Sequence, residues 1–136
     1  MKNLLFFIVL LPNAVSEGSN FNTINSCGPT YDYDVVTLTT YSPSKKETDS
    51  TPNITASGYK IDTVNPKKHR IIAISRDLKK KWKFNQKVRI RRAGKYNGVY
   101  TIKDVMNKRY KKRVDILVNS DDKQIKLSNV QIVAIK

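Results

Sequence analysis

Beyond residue 34 the apolar residues of this chain come in short runs, and each run is closed by Pro, Gly, Asn or a knot of charge. Runs of about five to seven β-branched and aromatic residues bounded in this way are strand signals, too short for stable helices. Val35 to Tyr41 (VVTLTTY), Arg70 to Ser75 (RIIAIS), Lys87 to Arg92 (KVRIRR), Val99 to Asp104 (VYTIKD), Arg113 to Val118 (RVDILV) and Val130 to Ile135 (VQIVAI) predict about six strands. In Lys87 to Arg92 the alternation is strict, with Val88 and Ile90 inward and Arg89 and Arg91 outward. Only Asp77 to Trp82 (DLKKKW) reads as a helical turn. The pattern predicts an all-β chain with little helix, folded as a small closed barrel over 35–136.

The chain opens differently. Met1 and Lys2 precede the apolar run Leu4 to Leu11 (LLFFIVLL), Pro12 and Asn13 break it, and Ala14-Val15-Ser16 is a small-x-small site. That is the layout of a secretory signal peptide over 1–16, cut after Ser16. The run is too short to span a bilayer as a helix. Residues 17–34 are polar and read as a flexible leader. The expected setting is therefore the periplasm, the cell envelope or the medium. Cys27 is the one cysteine, so no internal disulfide is available, and Asn25 and Ser26 ahead of it lack the apolar context for lipid attachment.

Lys and Arg number 26 against 11 Asp and Glu, a net charge of +15. A field of that sign draws anionic partners. In a cytosolic chain the tracts Lys79-Lys80-Lys81, Arg89 to Arg92 and Lys108 to Arg113, interleaved with Trp82, Tyr96 and Tyr110, suggest nucleic acid. Export argues against nucleic acid and toward anionic wall polymers or lipid headgroups, bound by a monomer in a salt-sensitive way. The alternative is a solvated basic face. Asn53-Ile54-Thr55 matches a glycosylation sequon.

Acids are few, so an aspartate in an apolar strand stands out. Asp115 lies between Val114 and Ile116, where desolvation and a neighbouring Asp104 would raise its pKa toward that of a general acid. Both carboxylates reach one groove if their strands are neighbours. The plainer readings are an acid paired with Arg113 for Asp115, a loop-start cap for Asp104 and a helix N-cap for Asp77. Tyr41, Thr55 and Ser57 either offer hydroxyls and a stacking face to a ligand, or fill a barrel end and cap turns. Gly58, Gly94 and Gly98 suit turns. His69, the single histidine, reads as part of a solvated loop, and with no second histidine a zinc site is not expected.

Four blocks in order carry a family resemblance: Thr39-Thr40-Tyr41-Ser42-Pro43; Thr51-Pro52 with Thr55-Ala56-Ser57-Gly58; Ala73-Ile74-Ser75-Arg76-Asp77; and a closing block. The last runs Gly94-x-Tyr96-x-Gly98, Asp104-Val105-Met106-Asn107, Arg109-Tyr110 and Arg113-Val114-Asp115-Ile116. Together they resemble the three-aspartate (3D) domain, a double-psi β-barrel family related to the C-terminal domain of membrane-bound lytic transglycosylase A and to rare-lipoprotein-A barrels. The chain departs from the family at Trp82-Lys83-Phe84-Asn85-Gln86, where Pro and Gly are common, and in its high basicity.

The resemblance implies a six-stranded double-psi barrel that cleaves peptidoglycan between N-acetylmuramic acid and N-acetylglucosamine, without cofactor or metal. It implies Asp115 as acid and then base, Asp104 as its support and Asp77 further out, with Tyr41, Thr55, Ser57, Gly58 and Arg113 holding glycan. A barrel that grips glycan or anionic polymer without cleaving it is the alternative.

Overall fold

Val88 and Ile90 are fully buried while Lys87, Arg89 and Arg91 are exposed, so the strictest alternation in the sequence is realised as a strand with one face in the core. The computed structural model describes residues 31–43, 51 and 53–135. Within them six strands form: β1 Tyr33–Tyr41, β2 Ile71–Ile74, β3 Lys87–Arg91, β4 Gly98–Val105, β5 Arg113–Leu117 and β6 Lys126–Ala134. Three short 3₁₀ helices, Pro66–His69, Arg76–Lys80 and Gly94–Tyr96, are the only helical pieces among these residues. The expected signal peptide over 1–16, the leader as far as residue 30 with Cys27, and most of the polar loop after β1 lie outside the described residues. Among the described residues no helix is long and apolar enough to cross a membrane.

The strands close into a barrel in the order β1-β5-β2-β4-β3-β6. β1 runs parallel to β5 and β2 parallel to β4, and the other pairs are antiparallel. Consecutive β4 and β5 therefore do not pair, because β2 lies between them, and β1 lies between consecutive β5 and β6. This interleaving is the crossed connectivity expected of a psi-type barrel. Closure leaves no open sheet edge.

Inward side chains fill the barrel: Leu38, Ile72, Ile74, Val88, Ile90, Ile102, Val114, Val130 and Ile132 are all fully buried. β2 is buried on both faces. Ile72 and Ile74 point into the barrel, and Ile71 and Ala73 pack outside it with Tyr41, Ile61, Met106 and Leu117. That second cluster lies beneath the candidate site.

Trp82 follows the Arg76–Lys80 turn and joins the main core at 1% exposure. Its indole Nε1 donates to Asp34 Oδ2 at 2.7 Å. Lys81 beside it pairs with Asp32 (2.6 Å) and Asp34 (3.0 Å). β1 thus begins two residues earlier than the strand expected from Val35. Tyr33 and Asp34, assigned to the leader, are in β1 and pair with Val133 and Ile132 of β6.

Candidate functional site

Ala73 is the centre of the site's geometry. It pairs with Asp115 of β5 on one side and with Asp104 of β4 on the other. Asp115 pairs in turn with Thr39 of β1, and Thr39 with Lys126 of β6. Residues in one register row of a sheet share a face, so both carboxylates point outward from the barrel, two strands apart, with Cα atoms about 10 Å from each other. The small methyl of Ala73 lies between them.

Asp104 reaches that face through a bulge. Ile72 pairs with Ile102 and Ala73 with Asp104, so Lys103 is an extra residue in β4. Without the bulge, alternation from Tyr100 and Ile102, which point inward, would turn Asp104 into the apolar interior. A bulge that re-aims one side chain is a recurrent device beside functional sites.

The row floors an open groove of about 1200 Å³ lined by Thr39, Tyr41, Thr55, Asp104, Asp115 and Arg113, among others. Tyr41 forms part of its base, donating its hydroxyl to Asp104 Oδ2 at 3.3 Å. Burial, the charges of Asp104 and Asp115, and that hydrogen bond push the Tyr41 phenol well above its ordinary value, so it stays a donor. Asp104 Oδ1 accepts the backbone N–H of Ala56 at 2.9 Å and of Val105 at 2.8 Å. Three donors around one side chain match the acceptor-only character of an ionised carboxylate.

The Ala56 contact ties Asp104 to the loop that forms one wall. Thr55 Oγ1 accepts Tyr59 N–H at 3.1 Å and lies 3.0 Å from Ser57 Oγ, and Gly58 N–H donates to Thr55 O at 2.8 Å. Gly58 has φ 79°, which costs glycine little and other residues more. Thr55 is buried and reaches the groove, while Ser57 and Gly58 are not among its lining residues. The Thr-Ala-Ser-Gly segment thus builds the turn that presents Ala56 N–H to Asp104.

His69 is not a solvated loop residue as the sequence suggested. Its Nδ1 lies 3.0 Å from the Tyr59 hydroxyl, its Nε2 accepts Asp62 N–H at 3.1 Å, and its ring meets Tyr59 edge to face. An Nε2 that accepts assigns the neutral, Nδ1-protonated tautomer, which clamps the base of the wall.

Asp77 is not brought to the groove. Ser75 occupies the N-cap position of the Arg76–Lys80 turn, and Asp77 sits in its first turn. Asp77 Oδ2 accepts the N–H of Lys112 at 2.9 Å, while Ser75 Oγ accepts that of Arg113 at 3.0 Å. Both hold the start of β5, where Lys112 has φ 44°. Burial acts to raise the Asp77 pKa, but hydrogen bonds from Ser75, Lys112 and its own N–H, with the charge of Lys111, hold it below the ordinary carboxylate value.

Arg113, expected to hold glycan, does line the groove, while Arg76, Arg109, Tyr110 and Lys126 line it without having been assigned a site role from sequence. Arg109 and Arg113 lie over the ring of Tyr110, with guanidinium carbons 4.8 and 4.5 Å from its centroid, and Arg109 Nη2 donates to the Tyr110 hydroxyl at 2.7 Å. Arg76 and Lys126 add charge to the same rim. The interleaving of Arg109, Tyr110 and Arg113 was the available signal. Among the described residues no group of three His, Cys, Asp or Glu side chains is placed to hold a metal ion.

Comparison with protein-family models and with curated proteins finds no match to this chain. The chemistry of the groove therefore rests on its own residues.

Proposed function

We propose that the chain is an exported lytic transglycosylase that cleaves peptidoglycan, with Asp115 as acid and then base. The observation that supports it is the placing of Asp115 and Asp104 on either side of Ala73, on one outward face and in one groove with Tyr41 and a cationic rim. A glycan strand is long, hydroxyl-rich and anionic through its peptide carboxylates, and an open groove with acceptors, donors and arginines suits it.

In this reading the Asp115 carboxyl gives its proton to the bridging oxygen as the bond from the muramoyl C1 breaks. The resulting carboxylate takes the proton of the C6 hydroxyl on the same sugar, whose oxygen closes on C1 to give the 1,6-anhydro product. Proton and bond counts balance without water. Asp104, anchored by Ala56, Val105 and Tyr41, supplies a fixed negative charge beside the developing oxocarbenium ion. Arg109 and Arg113, stacked on Tyr110, draw in the peptide carboxylates.

The test is digestion of purified sacculi by the mature protein, with anhydromuropeptides as the readout. Their absence, or full activity in Asp115→Asn, overturns the proposal. Export is tested separately, by secretion of a reporter fused after Ser16.

The second reading is a barrel that binds glycan or anionic polymer without cleaving it. The observation favouring it is the rim itself, since two arginines stacked on one tyrosine make a binding surface whatever the acids do. Sacculus binding that survives Asp115→Asn, with no soluble fragments from the wild-type chain, selects it.

A further inference from the structure

A second, smaller cavity of about 50 Å³ lies where β2 and β4 begin and β5 ends, and it shares no lining residue with the groove. Lys67, Arg70 and Lys95 surround it, its walls are Tyr96 and Tyr100, and its floor is Ile116, Leu117 and Val118. Three cations thus converge on one partly enclosed space at the barrel mouth.

Arg70 is held there by four features. Its backbone is left-handed at φ 52°, and its N–H caps the preceding 3₁₀ turn by donating to Lys67 O. Its guanidinium carbon lies 4.2 Å from the centroid of the Tyr100 ring. Its Nε donates to Val99 O at 3.3 Å, and among the described residues no carboxylate pairs with its terminal nitrogens. Gly98 leaves the space it needs, because a Cβ at that position would overlap the guanidinium. The Tyr100 ring is itself fixed, its hydroxyl donating to Tyr96 O at 2.9 Å.

The carboxylate supply does not match this charge. Among the described residues Lys67 has one partner, Asp122 at 3.4 Å, in a half-exposed pair of little strength, and neither Arg70 nor Lys95 has an acidic partner. Like charges gathered around an apolar-floored cavity repel one another unless an anion joins them. A fixed planar fork with two ammonium groups beside it is the donor set for a compact oxyanion.

We propose that this mouth is an anion-binding site for a phosphate group, with Arg70 as its fork and Lys67 and Lys95 as supporting charges. It does not depend on the glycan reading, and it gives the basic chain a defined place to hold phosphate, free or carried on a larger molecule.

The experiment is an NMR titration of the isotopically labelled mature chain with inorganic phosphate, against sodium chloride at matched ionic strength. Saturable shifts are expected at the Gly98, Tyr100 and Val118 amides and at Arg70 Nε. Arg70→Gln should weaken binding by roughly tenfold or more, the range for losing a charge-assisted hydrogen bond. Lys95→Gln, at an exposed position where the ammonium lies 5.2 Å from the Tyr96 ring centroid, should weaken it less, and Lys79→Gln, outside the cavity, should leave it unchanged. Parallel titrations with glycerol phosphate and with a glycerophosphodiester separate the sources: equal binding of the diester points to a polymer repeat, and its failure to bind points to free or terminal phosphate. Shifts that never saturate, or that persist undiminished in both Arg70→Gln and Lys95→Gln, overturn the proposal.

Discussion

Asp104 and Asp115 belong to strands that do not pair with each other, yet they flank the same residue, Ala73, in one register row. β2 holds them apart at a fixed spacing, so neither can relax toward the other without unpairing the barrel. A rigid pair of carboxylates on strands is the arrangement that positions an acid well. Under the proposed function, Asp115→Asn is expected to keep the fold and to lower sacculus cleavage by about 10²–10⁴-fold, the usual contribution of a general acid. Cleavage assays alongside thermal melts check this, and a melt shifted as much as the rate would reassign Asp115 to structure.

Asp104→Asn should act differently. The amide can present only one oxygen, and its NH₂ would face the N–H of Ala56 and Val105 or the hydroxyl of Tyr41. The loop that carries Thr55 is then released, so amide exchange at Ala56 and Ser57 should quicken while the barrel strands stay protected. Exchange unchanged at Ala56 argues against the anchoring role.

Ala73→Val adds two methyl groups between the carboxylates and against Tyr41, Met106 and Leu117. Overpacking of this kind costs about 1–3 kcal/mol. Cleavage should fall further than stability, because the added bulk occupies the space between the two acids. Ala73→Gly, which empties that space, should lose about 1 kcal/mol and retain activity. Denaturant melts and sacculus assays on both variants separate the two effects.

Much of the barrel is legible in the sequence because a strand's pattern is local. Val88 and Ile90 announce β3 through alternation, and the apolar run Ile71–Ile74 announces a strand buried on both sides. What is not local was not legible. Nothing in the run from Val99 to Asp104 signals the extra residue at Lys103, and strict alternation would have sent Asp104 inward. Nor does the order of strands along the chain reveal that β2 separates β4 from β5. Asp115 was singled out for its apolar neighbours Val114 and Ile116, but those neighbours face inward while the acid faces out, so they do not surround its carboxylate. For Asp77 the sequence offered a helix cap beside a site role; the N-cap is Ser75, and the partner of Asp77, the Lys112 N–H, comes from 35 residues away.

Asp77 gives a prediction in pH. Its pKa is depressed in the folded chain, so its stabilising contribution is complete above the unfolded value, about 3.9, and is lost as pH falls through the lower folded value. Wild-type protein should lose stability between about pH 4 and pH 2, and Asp77→Asn should lose less over that interval. Urea midpoints at pH 6 and pH 3 for both chains are the measurement. Asp62 is depressed as well, chiefly by Lys68, but that pair lies at the surface and adds little to this difference. Identical acid losses in the two chains would show that the link from Asp77 to β5 carries no stability.

The contact between Asp34 and Trp82 ties the residues just before Val35 to the core. Trp82 is the single tryptophan and is buried, and its Nε1–H has Asp34 Oδ2 as its acceptor at 2.7 Å. Asp34→Ala leaves that N–H unsatisfied in the core and should cost about 1–3 kcal/mol. Asp34→Asn keeps an oxygen acceptor and should cost less, losing mainly the charge that Lys81 shares with Asp32. A chain begun at Val35 should lose more than either variant. It also forfeits the pairing of Tyr33 and Asp34 with β6 and the bond from Ala134 N–H to Asp32 O. Trp82 emission reports all three, since it shifts to the red only when the indole meets water. Equal urea midpoints for the chain begun at Val35 and for the chain begun at Tyr31 would place the boundary where the sequence alone suggested it.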